Sequence, residues 1–528
     1  MKDAKVIIWP LALMLLSLCF ISCQNYVDSV DPLIDQVEDD LLNTEANIPF
    51  LITGVLGEFG LSGEQDGVPS ILEKIAAYSD EMIQGHYGGS PEWPQFVQDT
   101  DQSDLDFYER DWENYHRTRF FADDLVERVA AVDAGGGFQD PALRERALWW
   151  GNFVGGLMRM YVGEHWGAQA VTGNLPGSPI TTKAQVNAGE FGAFFSVEEL
   201  HAQARTLFNA AMGLDPGNNP PVPNSDRVLW SFIARTHIFD GNATEAKAAA
   251  EKGLQQGDPP LQIPHTIRFQ NAFYERTGRG NEPQFSSHPR FMKYLLDDPK
   301  EGTALSEVWS GISDANPQVP AGIVSRFGRP AEEGAPGNPG HRDTVDPRAG
   351  LANQNERLPM WERAIFNEYP DISGGNQWEP FVALGSTGIQ QDFFPNRDQA
   401  TDLIDWREMQ LILAEAAING AGGDPLEHIN NVRRFHGLDE VTPAEMAAYD
   451  NPWGGASTTG GNLLGSVPVN KHTGALGLLI EERDKTLHLK GTRIVDQRRF
   501  NLWHLPDGKF KNYMPIPRSE TNRNPNIP

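Results

Sequence analysis

Cysteine is nearly absent: Cys19 and Cys23 are the only two in 528 residues. Once a leader ending at Ser22 is removed, the chain can hold no internal disulfide and no cysteine-based metal site. Stability must then come from a core, and 39% apolar residues over this length can supply one. Positive charge is also scarce. Lys and Arg number 43 against 72 Asp and Glu, a net charge of −29 that becomes −30 when Lys2, Asp3 and Lys5 leave with residues 1–22. Such a surface repels phosphate backbones and anionic headgroups, which argues against nucleic acid as a partner. Catalytic signatures are missing too: the 13 His show no His-Glu-x-x-His, and there is no Gly-x-Ser-x-Gly elbow and no Walker loop. No cofactor and no metal site is expected.

The apolar run Val6 to Ser22 is broken by Pro10 and is shorter than the roughly 20 residues a spanning helix needs. With Lys2 and Lys5 before it, the run has the layout of a signal peptide. Phe20-Ile21-Ser22-Cys23 is similar to a bacterial lipobox, a small residue before a cysteine that is acylated after cleavage, with Phe20 where Leu is usual. Cys23 is thus the expected lipidation site, its acyl chains holding the protein on a bilayer without a spanning helix. An ordinary secretory signal with an incidental cysteine is the alternative.

The rest divides into an acidic tether (23–43), a helical-repeat region (44–258), and a loop-rich insertion with a C-terminal region (259–528). Trp112, Tyr115, Phe120, Leu125 and Val129 fall at helical spacing, and Ala142 to Trp166 reads as a long helix in which Gly155-Gly156 marks a close packing point. Ser196-Val197-Glu198-Glu199 resembles a capping box, Ser225 or Asp226 is the expected cap of a helix through Phe239, and Asp240-Gly241-Asn242 is a turn. These alternations predict a mostly α fold, a tetratricopeptide-like scaffold of helical pairs with long loop-rich insertions and few short strands. From Pro259 to Arg397 turn residues break every periodic segment, although aromatics persist. Trp406 to Asn419 is apolar nearly all round and should be buried.

Trp406-Arg407-Glu408 through Leu413-Ala414-Glu415-Ala416, Asn430-Asn431-Val432-Arg433, Ile480-Glu481-Glu482-Arg483, Lys490-Gly491-Thr492-Arg493, Asp496 to Phe500, and Pro515-Ile516-Pro517 to Asn524-Pro525-Asn526 resemble, in order and spacing, the C-terminal pattern of SusD/RagB lipoproteins. Ser79-Asp80-Glu81, the helix from Trp112 to Leu125, and Arg144 to Trp166-Gly167 are similar to that family's N-terminal half. His488-Leu489-Lys490-Gly491 departs from the pattern where the family often has an acidic residue before Gly, as does Asp123 where it often has Asn. The resemblance implies a non-enzymatic nutrient receptor on the outer membrane that delivers a glycan, or in some members a peptide, to a SusC-like TonB-dependent transporter.

Glu482, Arg483, Arg493, Asp496, Arg498 and Arg499 could be taken for catalytic carboxylates beside an anion site. Interleaved with Leu and Ile, they read better as ion-pair networks that orient buried helices. The acidic run Asp99 to Asp111 lacks the Gly and the Glu of a calcium loop and reads as a solvated loop. For sugar binding, flat aromatic faces in turn-rich segments are the candidates: Tyr87, Trp93, Trp309 and Trp378. A secreted glycoside hydrolase and a helical-repeat protein-interaction scaffold are the competing functions.

Overall fold

The computed structural model describes residues 39–61, 68–79, 81–84, 106–170, 173–266, 271–274, 285–287, 398–436, 438–449, 472–502 and 513–528. Helices α1 (Ile48–Leu56) and α2 (Val68–Tyr78) precede a short strand, β1 (Met82–Gln84). Two long helices follow, α3 (Asp106–Ala134) and α4 (Pro141–His165), then β2 (Trp166–Ala170), β3 (Gly173–Ile180), α5 (Lys183–Ala188) and β4 (Ala193–Ser196). Next come α6 (Val197–Ala211), α7 (Ser225–Phe239), α8 (Ala243–Ala250), β5 (Leu261–Ile263) and β6 (Phe285–Ser287). The C-terminal part holds β7 (Thr401–Ile404), α9 (Trp406–Ala416), α10 (Pro425–Phe435), α11 (Pro443–Ala448), α12 (Gly474–Thr486), α13 (Arg493–Phe500), β8 (Met514–Pro515) and α14 (Arg518–Thr521).

Local chemistry sets the helix ends. Asp140 caps α4 by accepting the Ala142 N–H at 3.0 Å, with Pro141 in the first turn where its missing N–H costs nothing. Ser196 and Glu199 form both halves of the expected capping box on α6. The cap of α7 differs from expectation. Asn224, at φ +53°, precedes the helix, while Asp226 accepts the Gly213 N–H instead. Asn224 makes no capping bond, and its amide nitrogen donates to Asp258 at 2.8 Å.

Neighbouring helices pack in sequence, α3 on α4, α4 on α6, α6 on α7, α7 on α8, α8 on α9 and α9 on α10, the pairing expected of a repeat scaffold. Close approach depends on glycine. A Cβ on Gly156 would stand 2.7 Å from the Phe208 ring of α6, and one on Gly151 would stand 2.7 Å from Val126 of α3. Phe153 of α4 forms a triangle of rings with Phe208 and Phe232, at 6.3 and 5.8 Å, and stacks on Trp149. One hydrophobic core runs from Ile48 to Ile516, so the regions either side of residue 258 share it. Helix α9 is buried along Trp406, Met409, Leu411 and Ile412, as its apolar circumference requires.

Four strands form a sheet in the order β4-β3-β2-β8, with β8 parallel to β2 and the other neighbours antiparallel. Two ribbons, β1 with β6 and β5 with β7, tie distant parts of the chain together.

Candidate functional site

The charged C-terminal motifs are ion-paired inside the protein. Arg483 meets Asp496 through two hydrogen bonds of 2.9 and 3.0 Å. Arg499 grips Glu415 at 2.8 and 3.0 Å, donates to the Ile238 carbonyl, and lies 4.8 Å over the Phe239 ring. Arg433 holds Glu482 at 2.7 Å, and Arg498 donates to the Glu164 carbonyl at 2.8 Å. Arg235 and Glu408, both inaccessible to solvent, form a bidentate pair at 2.6 Å that joins α7 to α9. Burial would raise the pKa of Asp405, but Lys490 and Arg407 hold it far below the usual carboxylate range. A carboxylate held ionised in this way cannot act as a general acid near neutral pH. Lys490, which departs from the resembled pattern, shares Asp405 with Arg407. The other departure, Asp123, accepts two bonds from Arg159 and one from Arg119.

The separated motifs meet in space. Glu81 accepts the Leu489 N–H at 2.8 Å, joining the Ser79 to Glu81 segment to the turn before Gly491. The Gly491 carbonyl in turn lies 3.1 Å from His165 Nε2, and the Tyr115 hydroxyl stands 2.6 Å from His165 Nδ1. Burial pushes His165 down to about 3 and Tyr115 up. The neutral ring therefore donates from Nε2 and accepts from Tyr115 at Nδ1. At the C-terminus, the Tyr513 hydroxyl donates to Ala168 O, the Ile516 N–H donates to Gly167 O, and the Asn526 amide donates to Phe191 O and Gly192 O. The terminal motif is a clasp that fastens β8 to the sheet.

The sequence-derived binding candidates Tyr87, Trp93, Trp309 and Trp378, the lipidation candidate Cys23, and Asp99 to Asp104 lie outside the described residues. The stems from which the aromatic segments leave are described. Gln84, at the end of β1, pairs with Phe285 of β6, and Met82 pairs with Ser287. Where the chain returns, the Asn271 amide donates to the Gln399 carbonyl at 2.9 Å and to the Thr401 hydroxyl at 3.0 Å. Asp111, counted with the solvated acidic run, is instead buried and salt-bridged to Lys74 of α2. The helical phase of α3 turns it inward, which charge alone did not reveal.

A cavity of about 300 Å³ opens between α1, the start of α4, the loop at Asn219-Pro220-Pro221 and β5. Its inner wall is Ile52, Leu56, Phe59, Trp150 and Ile263, with Arg146 among the lining residues. No sequence motif marks it, because its walls come from four separate stretches. The adjacent Trp149-Trp150 and Pro220-Pro221 pairs were the only local signals.

No family model and no curated protein matches the chain. Solved structures match along nearly all of it. A SusD superfamily protein from Bacteroides vulgatus is 14% identical with a TM-score of 0.57, over 91% of this chain and 97% of that one. A SusD-like carbohydrate-binding protein from Bacteroides fragilis is 12% identical with a TM-score of 0.55, over 93% and 100%. Surface glycan-binding protein A from Bacteroides thetaiotaomicron, in complex with laminarihexaose, is 13% identical with a TM-score of 0.51, over 91% and 97%. At these identities the likeness defines the fold: the chain has the SusD-like fold. Among the described residues, no helix is long and apolar enough to cross a membrane.

Proposed function

We propose that this protein is a carbohydrate receptor, anchored on the outer membrane through acyl chains at Cys23, that captures an oligosaccharide and passes it to a SusC-like TonB-dependent transporter. The observation that carries this reading is the fold likeness over nine-tenths of the chain to a surface glycan-binding protein in complex with laminarihexaose. The stems support the choice of contacts. The segment bearing Tyr87 and Trp93 leaves β1 at Gln84, and the segment bearing Trp309 and Trp378 leaves β6 at Ser287, so both are rooted on one three-residue ribbon. Aromatic faces of this kind cover the apolar face of a sugar ring, while amides and carboxylates take the hydroxyls.

The receptor binds without turnover. In the described C-terminal motifs the acids are committed to arginine and lysine, which favours a structural role over hydrolysis. The test is a panel of oligosaccharides and peptides offered to the purified protein, with reducing-end release followed in parallel. Saturable binding of a glycan with no new reducing ends is the expected result. Release of reducing ends, or binding of peptides alone, contradicts the reading.

A further inference from the structure

Helix α1 carries no charged residue. Its inner positions Ile48, Ile52, Val55 and Leu56 enter the core, while positions 50, 53 and 54, at i, i+3 and i+4 spacing, form an exposed outer face. Phe50 on that face is 76% exposed, and Leu41, in the turn before the helix, is 56% exposed. The polar groups around them are satisfied inward. The Thr53 hydroxyl donates to Pro49 O at 2.9 Å, and the Asn47 amide donates to Leu41 O at 2.8 Å, fastening that turn to the start of α1. Glu45 accepts the Gln139 and Asp140 N–H groups at 2.9 and 2.8 Å, and Glu58 accepts Arg117 at 2.8 Å, so these neighbouring acids are engaged as well. A helix this apolar around its circumference is ordinarily buried on every side. The outer face of α1 is not.

We infer that the outer face of α1, with Leu41 beside it, rests on the surface of the bilayer that holds the acyl chains of Cys23. The inference builds on the anchored-receptor reading. Residues 24–38 lie between Cys23 and the start of the described chain at Asp39, a stretch that spans at most about 55 Å. A globular chain of this length is roughly 60 Å across, so the anchor cannot lead far round it, and α1 is the first α-helix that follows. Tethering supplies an effective concentration on the order of millimolar. Two apolar side chains entering the interface then suffice, although they would not hold the protein there without the anchor. The contact is uncharged, so the net charge of −29 does not oppose it on zwitterionic lipid.

Thr53→Cys gives the mature acylated chain a single free thiol, because the lipid occupies Cys23. An environment-sensitive fluorophore on that thiol reads the face while Leu41 and Phe50 stay native. The acylated protein is bound to phosphatidylcholine vesicles containing spin-labelled lipid, flotation checks the anchor, and the same label on Phe435→Cys, exposed on α10 far along the series of packed helices, is the reference. Emission at position 53 is expected to shift to shorter wavelength and to be quenched by the lipid, with no loss in about 1 M salt, where charge contacts are screened. Phe50→Asp, at a position too exposed to disturb the core, is expected to abolish that quenching while the protein still floats. An anchored protein whose label at 53 stays unquenched, equal quenching at 435, or quenching undiminished by Phe50→Asp overturns the inference and leaves the anchor standing. So does shielding of 53 only on addition of a co-purified barrel, which would make the face a protein contact. A protein that does not float removes the anchor reading, and the inference falls with it.

Discussion

At the scale of single residues, the charged side chains divide into those that hold helices and those that respond to pH. Arg499 belongs to the first kind. It is mostly buried, and its bidentate bond to Glu415 fixes α13 against α9. Among the described residues, Arg499→Ala leaves Glu415 facing only Arg483 at 3.7 Å, and stability is expected to fall by about 3 kcal/mol, as for other broken buried pairs. Glycan affinity should be unchanged; denaturant titration and calorimetry on the same variant check both. A loss of affinity with intact stability would place Arg499 in the binding site.

His201 belongs to the second kind. It is fully buried, with Nδ1 2.5 Å from Asp240 and Nε2 3.4 Å from Glu164, while Arg205 holds the other Asp240 oxygen. Burial lowers its pKa, but the two carboxylates outweigh burial and the net shift is upward. A raised folded value means the contribution is complete below about pH 6.5, the unfolded value, and is lost as pH rises through the folded one. Unfolding free energy measured from pH 6 to 9 should therefore fall more steeply in the native protein than in His201→Gln. Parallel profiles would refute the assignment.

At the scale of elements, the β2–β8 clasp is the most sensitive contact. A Cβ at Gly167 would lie 2.5 Å from the Tyr513 ring and 2.7 Å from the Leu175 carbonyl, so Gly167→Ala must displace either β8 or β3. A loss of about 2 kcal/mol, typical of overpacking, is expected in chemical denaturation; an unchanged midpoint would mean that the clasp yields freely. Helices were the legible part of this architecture. Periodicity and caps placed α4 within one residue at each end and gave α6 its start, because those signals are local. The sheet was harder to read, since β3 contains Gly173, Pro176, Gly177 and Pro179, residues that ordinarily mark turns. Partner identities were hidden for a related reason. Glu408 stood in a recognised motif, but its partner Arg235 is 173 positions away in a helix read only from its caps and end. The cavity wall was illegible because no single stretch contains it. The resemblance to the SusD/RagB pattern correctly indicated the fold, while the departures at Asp123 and Lys490 became intelligible only when Arg159 and Asp405 appeared beside them.

At the scale of the whole molecule, a hydrophobic core draws on residues from Ile48 to Ile516, and the β1–β6 ribbon leads at its two ends into the aromatic-bearing segments. A receptor that works with a transporter should be recovered with it. Affinity purification from native membranes in mild detergent is expected to yield a large outer-membrane barrel together with this protein. Cys23→Ala should shift the protein out of the membrane fraction and abolish acyl labelling. Recovery of the protein alone in several detergents, or membrane retention with undiminished labelling, would count against this arrangement.

The central claim, glycan capture by aromatics on the segments rooted at β1 and β6, is tested most directly by calorimetric titration of a binding oligosaccharide against Tyr87→Ala, Trp93→Ala, Trp309→Ala and Trp378→Ala. Aromatic anchors commonly cost more than about 1 kcal/mol on truncation, where about 1.4 kcal/mol is tenfold in affinity. At least one variant should bind severalfold more weakly with a nearly unchanged melting temperature. Native affinity in all four would contradict the account.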